Sequence, residues 1–392
     1  MKLFYFTTVD LGAYAAGCAD HVEGIAGGLH EAGWDVTLFS ADGGVADQPA
    51  YPFDHVLFRR GRSLPGYAAG QVRLLRMLRR RVGRPDAVYV RAAPTLLAPH
   101  VYALRRRIPC FVEVNSVAEF EHARRWLLPL RLRLEDWLLR RARGVFVVTE
   151  ELGAYVAARA GLARERFRVV PNGCAARLLE ASRGLVDSPP EGVHTVGFLG
   201  SFQPWQGMET VLRAMARLAE RMPESRLLLG GSGPLEGAYR SLADELGLAR
   251  RVSFAGPVAR EAVGEFLAGV AVAVCPRSGA FAADPVARHV GTSPVKLFTY
   301  LACGRVVVAS ELPSLARFGE CPAVRFARPD DPEDFARALE AVLRMHPARR
   351  AELGRAGQAF VRGRYTWDQL ARRTGEAIQR WCHRAPAAET RR

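Results

Sequence analysis

The chain opens with Leu3-Phe-Tyr-Phe6, and a second apolar run, Trp34-Asp-Val-Thr-Leu-Phe39, follows a helix-like segment at 19–33 that ends at Gly33. Both runs are short, rich in aromatic and β-branched residues and bounded by turn signals, which predicts two buried strands. Two strands joined through a helix form a βαβ unit, and such units build parallel sheets. The N-terminal segment therefore predicts a doubly wound α/β domain.

The same alternation of strands and helices continues in two series. The first series ends at the Pro171-Asn-Gly173 turn, and a stretch rich in Gly, Ser and Pro separates it from a second series that begins at His194. We therefore predict an α/β fold of two doubly wound, Rossmann-like domains facing across a cleft. The predicted segments are a first domain at 1–175, a linker at 176–193, a second domain at 194–365, a C-terminal helix at 366–384 and a disordered tail at 385–392.

Composition narrows the class of protein. The 392 residues carry a net charge of +15, and no run of eighteen apolar residues predicts a membrane span. The N-terminus reads as a strand rather than a signal peptide, which predicts a cytoplasmic protein. Seven scattered cysteines without a Cys-x-x-Cys pair argue against disulfides and structural zinc. The basic runs lack interleaved aromatics, which disfavours nucleic acid and favours anionic lipid or a phosphorylated substrate.

Lysine is rare in this chain, with Lys2 and Lys296 as its two examples. Lys296 lies in a helix-start pattern, in which Ser293 is predicted as the N-cap and Pro294 as the first helical residue. The amides of a first helical turn, the helix dipole and an ammonium group together favour a bound phosphate or diphosphate. The alternative is an ordinary capped helix with a solvated lysine.

Three loops of the second series fall directly after predicted strands. They are Gly200–Gly207, Gly230–Pro234 and Cys275–Arg277. Parallel strands end at one edge of their sheet, so these loops are predicted to converge with the Lys296 helix. Glycine is also required by the geometry of many strand-to-helix turns, which is the structural alternative for each loop taken alone.

As an ordered set, these motifs resemble family 4 glycosyltransferases, a retaining group with the GT-B fold. The resemblance is strongest from 171 to 310 and rests on Pro171-Asn-Gly173, the Val196–Leu212 segment, Gly230–Pro234, Val252–Val258 and Ser293–Arg305. In the first half, Glu113-Val-Asn-Ser116 with Glu119 is similar to a variant found in many bacterial members.

The resemblance implies that the second half binds a nucleotide sugar, the first half binds the acceptor, and the last helix crosses back to the first domain. Lys296 and Asn115 are the predicted catalytic residues, although the Asn115 amide cannot act as a base. The predicted donor-binding residues are Gly200, Ser201, Gln206, Gly231, Ser232, Gly233, Val258, Arg277, Ser293, Pro294, Val295 and Thr299. The predicted acceptor-side residues are Gly12, His21, Glu113 and Glu119.

Two departures from the family pattern affect the donor site. Thr299 stands where members usually place a ribose-binding glutamate, whose partner glutamate is replaced by Gly291. Gln206 stands where a lysine is common. The chain has no Asp-x-Asp motif, and the resemblance implies transfer without a metal or cofactor.

The implied reaction moves a sugar to a glycan, lipid-linked or small-molecule acceptor. The segments 71–81 and 124–141 combine apolar residues with arginine, which predicts contact with an anionic membrane, with a core-facing helix and a solvated basic back as the alternative. Two alternatives concern function: a degenerate GT-B protein that binds without catalysis, and a GT-B nucleotide-sugar epimerase. The first strand-to-helix turn, Asp10–Gly17, lacks the Gly-x-Gly-x-x-Gly pattern of a nicotinamide dehydrogenase.

Overall fold

The computed structural model describes residues 1–11, 17–42, 50–59, 63–81, 83–91, 96–116, 128–187, 194–279 and 293–383. The chain divides into two compact units. The first is Met1–Pro171 together with the segment that begins at Trp367, and the second is Asn172–Thr366. Each unit is built on its own parallel sheet flanked by helices. The predicted fold class of two doubly wound α/β domains is confirmed.

The first unit contains a seven-stranded parallel sheet in the order β3-β2-β1-β4-β5-β6-β7. Its central strands are apolar on both faces, as expected for a sheet covered by helices on both sides. The strands are β1 (Lys2–Phe6), β2 (Asp35–Ala41), β3 (Asp54–Phe58), β4 (Ala87–Arg91), β5 (Cys110–Val114), β6 (Gly144–Val147) and β7 (Phe167–Val169).

Strand β3 is the one described strand that the sequence pattern does not predict. It lies at the edge of the sheet, pairing with β2 alone among the described strands, and Phe58 is its one fully buried residue. An edge strand tolerates polar residues such as Asp54 and His55, so the apolar signal is weak.

Six described helices belong to the first unit: α1 (Gly17–Glu31), α2 (Leu64–Arg80), α3 (Leu97–Arg106), α4 (Leu128–Arg141), α5 (Glu150–Ala160) and α14 (Trp367–His383). The C-terminal helix α14 is held there by two tryptophans. Trp367 occupies the space beside Gly24, where a β-carbon would collide with its ring, and Trp381 does the same beside Gly144. Glycine at both positions thus allows the close packing of α14.

The second unit contains a six-stranded parallel sheet in the order β10-β9-β8-β11-β12-β13. Its strands are β8 (Thr195–Leu199), β9 (Arg226–Gly230), β10 (Val252–Gly256), β11 (Val272–Cys275), β12 (Val306–Ser310) and β13 (Val324–Ala327). Its helices are α6 (Ala176–Ala181), α7 (Arg183–Asp187), α8 (Met208–Arg221), α9 (Glu236–Glu245), α10 (Val263–Ala268), α11 (Val295–Ala302), α12 (Pro332–Leu343) and α13 (Pro347–Arg364).

The predicted linker at 176–193 is wrong for its described part. Residues 176–187 form α6 and α7, which bury Leu179 and Val186 within the second unit. Arg305 fixes this segment by donating to Leu185 O at 2.6 Å. The Gly, Ser and Pro content suggested a linker, but two buried apolar residues are enough to pack such short helices. The rest of the predicted linker, at 188–193, and the predicted tail at 385–392 lie outside the described residues.

A 3₁₀ helix spans Pro313–Glu320. One other helical prediction needs correction. Ser293 does not cap α11, because Pro294 occupies the N-cap position and the helix begins at Val295. The Ser293 hydroxyl instead accepts a hydrogen bond from the Asn172 amide at 2.9 Å.

Candidate functional site

The strand-end loops of the second unit contact one another as the sequence predicts. Gly200 N donates to Gly230 O at 2.9 Å, and Phe202 N donates to Ser232 O at 2.9 Å. The loop after β11 joins them, since Ser278 N donates to Trp205 O at 3.3 Å. Three loops and the start of α11 therefore form one edge of this unit.

Packing between these loops accounts for their glycines. A β-carbon at Gly231, which has a φ of +127°, would collide with Gly200 O. A β-carbon at Gly233 would lie 2.6 Å from Phe202 O. Glycine at these positions is thus required for the loops to approach each other, whether or not a ligand is bound.

Lys296 extends from the first turn of α11 toward the loop after β8. Its Nζ donates to Gln206 Oε1 at 2.8 Å and lies 3.9 Å from the centroid of the Phe198 ring. A β-carbon at Gly200 would lie 2.8 Å from Nζ, so the absence of a side chain makes room for the ammonium group. The ring and the amide oxygen both favour a cation here.

Arg277 brings a second cation to the same oxygen. Its Nη1 lies 3.4 Å from Gln206 Oε1, and its backbone N donates to Ser310 Oγ at 2.8 Å. Burial, and to a lesser degree the charge of Arg277, lowers the pKa of Lys296 to about 7. Two cations that share one neutral oxygen are arranged to receive an anionic oxygen in its place. We name Lys296 and Arg277 the cation pair and Gln206 its bridge.

The other predicted donor residues lie on the strand-end loops, at the start of α11 or after β10. Thr299 Oγ1 donates to Val295 O at 3.2 Å within its own helix. Ser201 and Ser232 are exposed on their loops, whereas Ser293 and Pro294 are buried before α11. Val258 is half-buried after β10, and β9 separates that strand from β8.

The first unit has a polar cluster at the carboxyl ends of β4 and β5. Glu113 is buried at 2% exposure, and its Oε1 accepts from Asn115 Nδ2 at 2.7 Å and from Arg91 Nε at 3.2 Å. His21 Nε2 lies 2.8 Å from the same oxygen, and Tyr89 donates its hydroxyl to Oε2 at 2.7 Å. We name these five residues the Glu113 cluster.

Electrostatics in the Glu113 cluster favour an ionised carboxylate. Although burial alone would raise its pKa, contacts with His21, Arg91 and Tyr89 lower the pKa of Glu113 to about 2. Burial and the Glu113 charge raise the pKa of Tyr89, so the phenol remains a donor. The carboxylate therefore acts as an acceptor for several donors at once.

The structure thus brings together the predicted acceptor-side residues His21 and Glu113 with Asn115, whereas Gly12 and Glu119 lie outside the described residues, as does Gly291. Sequence reasoning missed Arg91 and Tyr89. A partial signal was present in the sequence, since Arg91 ends one apolar strand and Glu113 lies in the next one. Their pairing in register is seen only in the structure. Two opposite charges at the ends of buried strands indicate a paired site.

The fold identifies a class of protein. The structure is similar over nearly its whole length to sucrose-phosphate synthase from Thermosynechococcus elongatus, with a TM-score of 0.75, 20% identity and coverage of 97% of this chain and 98% of that one. It is also similar to Anabaena HepE in complex with UDP and glucose, with a TM-score of 0.71, 17% identity and coverage of 97% and 99%. The fold is that of the GT-B proteins.

Two family models match most of the chain. The model described as Glycosyltransferase Family 4 matches residues 15–176, and the one described as Glycosyl transferases group 1 matches residues 193–345. The chain belongs to the family 4 glycosyltransferases.

Relatives of known name align with part of the chain. A 2-deoxystreptamine glucosyltransferase from Streptomyces kanamyceticus is 26% identical over 263 residues, which is 65% of this chain and 63% of that protein. A D-inositol 3-phosphate glycosyltransferase from Stackebrandtia nassauensis is 30% identical, covering 51% of this chain and 46% of that protein. A phosphatidyl-myo-inositol mannosyltransferase from Mycobacterium tuberculosis is 31% identical, covering 49% and 48%. The chain thus matches about half to two thirds of the length of these relatives.

Proposed function

We propose that this chain transfers a sugar from a nucleotide-sugar donor to a hydroxyl group of an acceptor, with retention of configuration and without a metal ion. The observation that carries the proposal is the cation pair, in which Lys296 Nζ and Arg277 Nη1 lie 2.8 and 3.4 Å from the single oxygen of Gln206. Membership of the glycosyltransferase family supports the same reaction.

The reaction requires stabilisation of a leaving diphosphate. Negative charge develops on the bridging oxygen as the bond to the sugar breaks, and fixed cations lower the barrier without needing to reorganise. Lys296, Arg277 and the open amides of the first turn of α11 are the groups that we assign to this role. Because the sequence lacks an Asp-x-Asp motif, we propose that they act in place of a metal ion.

We propose that the second unit binds the donor and the first unit binds the acceptor. The relatives are named for 2-deoxystreptamine, D-inositol 3-phosphate and phosphatidyl-myo-inositol, all of which carry a polyhydroxylated six-membered carbon ring. This shared ring in the names of the relatives supports our proposal that the acceptor group for this chain is a hydroxyl of a cyclitol. In the first unit, Asn115 is the half-exposed polar member of the Glu113 cluster and is the residue we assign to that hydroxyl.

The test pairs a panel of nucleotide sugars with two acceptors, 2-deoxystreptamine and D-inositol 3-phosphate. Product formation in EDTA, with the anomeric configuration assigned by NMR, is the expected result. Loss of transfer in EDTA that magnesium restores would contradict metal independence, and an inverted product would contradict retention. A Lys296→Met variant, which removes the charge and keeps most of the side-chain length, should form little product.

We also propose that the first unit rests on the cytoplasmic face of an anionic membrane. Helix α2 exposes Val72, Arg73, Arg76 and Arg80 and contains no acidic residue. Arginines beside an apolar side chain suit a surface of anionic headgroups. In the part of the chain that the structure describes, none of the helices has the length and apolarity that a membrane span requires.

Vesicle sedimentation tests this membrane proposal. The protein should bind phosphatidylglycerol vesicles in preference to phosphatidylcholine vesicles, and an Arg73→Glu/Arg76→Glu variant should bind less. Arg213→Glu, an equally exposed site on α8 of the second unit, is the control and should leave binding unchanged. Equal binding to both lipids, or equal losses in both variants, would contradict a specific role for α2.

A second candidate function, nucleotide binding without transfer, is favoured by Thr299. Its hydroxyl bonds within α11 and replaces a carboxylate that would grip the donor ribose through charge-assisted hydrogen bonds. Calorimetric binding of a nucleotide together with no turnover on the whole panel would favour this candidate over transfer.

A further inference from the structure

The Glu113 carboxylate lies among four polar side chains of the first unit. Its Oε1 contacts Asn115 Nδ2, Arg91 Nε and His21 Nε2, and its Oε2 contacts the Tyr89 hydroxyl, all within 3.2 Å. Among the described residues, Oε1 has three neighbours for its two lone-pair positions and Oε2 has one neighbour. Glu113 is also 2% exposed, so a substrate in solvent does not reach it. Its effect on a substrate must be exerted through a neighbour.

Asn115 is the neighbour that reaches toward solvent. It follows β5 directly and is half-buried, whereas His21, Arg91 and Tyr89 are all buried. An ionised Glu113 only accepts hydrogen bonds, so the atom of Asn115 that faces it at 2.7 Å must be the amide nitrogen. The carbonyl oxygen of Asn115 is then turned away from the carboxylate, which would repel it. The charge on Glu113 thereby selects one of the two orientations of the amide.

We propose that Glu113 is a positioning residue, which fixes the Asn115 amide so that its Oδ1 accepts a hydrogen bond from a hydroxyl group of the cyclitol acceptor. The proposal rests on the proposed function and names the acceptor contact within it. A group that donates, such as a hydroxyl, is recognised in this arrangement, whereas a group that only accepts is not.

The surroundings hold Glu113 firmly enough for this role. Arg91 and Glu113 are paired in register at the ends of adjacent strands, so the backbone of the sheet sets their separation. Tyr89, two residues before Arg91 on β4, packs its ring edge-on against Tyr5, and the two ring centroids are 4.9 Å apart. A side chain locked by strands, ring packing and hydrogen bonds can orient its neighbour to within a fraction of an ångström.

An exchange of the amide and the carboxylate tests the proposal. Asn115→Asp places a second carboxylate against Glu113, and two carboxylates at that distance cannot both be ionised in the native orientation. Adding Glu113→Gln removes that repulsion, because one amide and one carboxylate again face each other and the cluster charge is the native one. Residue 115 again presents an oxygen to the acceptor.

The expected readout is the KM for the acceptor, measured with 2-deoxystreptamine and with D-inositol 3-phosphate. We expect Asn115→Asp to raise this KM about 30-fold or more, and the double variant to return it to within about fivefold of the native value, because contacting residues are strongly coupled. Losses in the two single variants that simply add in the double variant would overturn the proposal.

Glu135→Gln is the matched control. Glu135 is also 2% exposed in the first unit and pairs with Arg159 at 2.7 Å, away from the Glu113 cluster. The Glu135→Gln variant should be less stable than the native protein but should have the same acceptor KM. A rise in that KM would show that the loss of any buried charge has this effect, and would overturn the proposal.

Urea unfolding of the native protein, the Asn115→Asp and Glu113→Gln variants and the double variant separates this proposal from the proposed function. Asn115→Asp should be destabilised, and the double variant should recover most of the loss. If native protein turns over no nucleotide sugar, the proposed function fails, and the unfolding measurements still decide whether Glu113 holds Asn115. The absence of coupling in unfolding would overturn the positioning role by itself.

Discussion

Raising the pH from 6 to 8.5 is expected to weaken binding of a nucleotide sugar, because Lys296 loses its charge over that interval. Its pKa is about 7 in the free protein, lowered mainly by burial. A bound diphosphate would replace the neutral Gln206 oxygen with anionic oxygens and raise that pKa again. The complex therefore holds more protons than the free protein above pH 7, and affinity falls as pH rises. Below pH 6 the lysine is already charged and affinity should be constant.

The size of this effect follows from the pKa. If Lys296 stays protonated in the complex up to pH 8.5, the apparent Kd varies inversely with the protonated fraction of the free protein and rises about 30-fold between pH 6 and 8.5. That factor corresponds to about 2 kcal/mol of binding free energy. Arg277 keeps its charge across the interval and contributes a constant attraction.

Isothermal titration calorimetry with UDP-glucose measures both the affinity and the proton uptake. Because the phosphates of UDP-glucose are diesters and remain ionised throughout, the titrating group must belong to the protein. Heats in two buffers of different ionisation enthalpy should give uptake of about half a proton at pH 7. Lys296→Met should bind weakly at every pH and take up no proton. A Kd that is constant from pH 6 to 8.5, or a pH dependence that survives in Lys296→Met, would refute the reasoning.

Three further outcomes are expected. Lys296→Arg should transfer sugar about 100-fold more slowly than the native enzyme, since a planar guanidinium is larger than the ammonium group that lies close to Gly200. Steady-state rates near the native value would contradict this. Thr299→Glu should tighten nucleotide binding by about 1–2 kcal/mol in calorimetry if the new carboxylate reaches the ribose, whereas unchanged binding would mean that the site is built around threonine. The lowered pKa of Glu113, about 2 against an ordinary value of 4.5, adds about 3 kcal/mol of stability that is present above pH 4.5 and lost as pH falls toward 2. Acid unfolding followed by circular dichroism should therefore be less steep in Glu113→Gln, and an unchanged acid transition would show that other carboxylates dominate.

Local signals predicted that the strand-end loops of the second unit converge with the start of α11. Gly200, Gln206, Arg277 and Lys296 come from separate segments, yet each follows a strand or begins the helix at the same edge of one parallel sheet, and the structure brings them together. The carboxyl ends of parallel strands lie at one edge of their sheet whatever the strand order, so this prediction did not require the strand order. The misassigned cap at Ser293 shows the limit, because a contact from Asn172, remote in sequence, takes the hydroxyl that local reasoning gave to the helix.

The Glu113 cluster was only partly predictable, because it depends on strand register. His21, Glu113 and Asn115 were found as candidate residues, but their mutual contacts and the roles of Arg91 and Tyr89 follow from the pairing of β4 with β5. A shift by one residue would have turned Arg91 and Glu113 to opposite faces of the sheet. Hydrophobic pattern alone fixes which residues are buried in such a sheet and leaves the pairing of two buried charges undetermined.

Gln206 gives the proposed donor site a property that a lysine at this position would remove. A third cation within reach of Lys296 and Arg277 would lower the pKa of Lys296 below its value of about 7, and the free protein would then hold a largely neutral amine where charge is needed. The amide oxygen of glutamine instead accepts from both cations and keeps them oriented without a ligand. Under our proposal, a donor diphosphate would displace that oxygen and the Gln206 side chain would turn away. The glutamine would then give up one favourable charge on the diphosphate in exchange for a cation pair that is already assembled before binding.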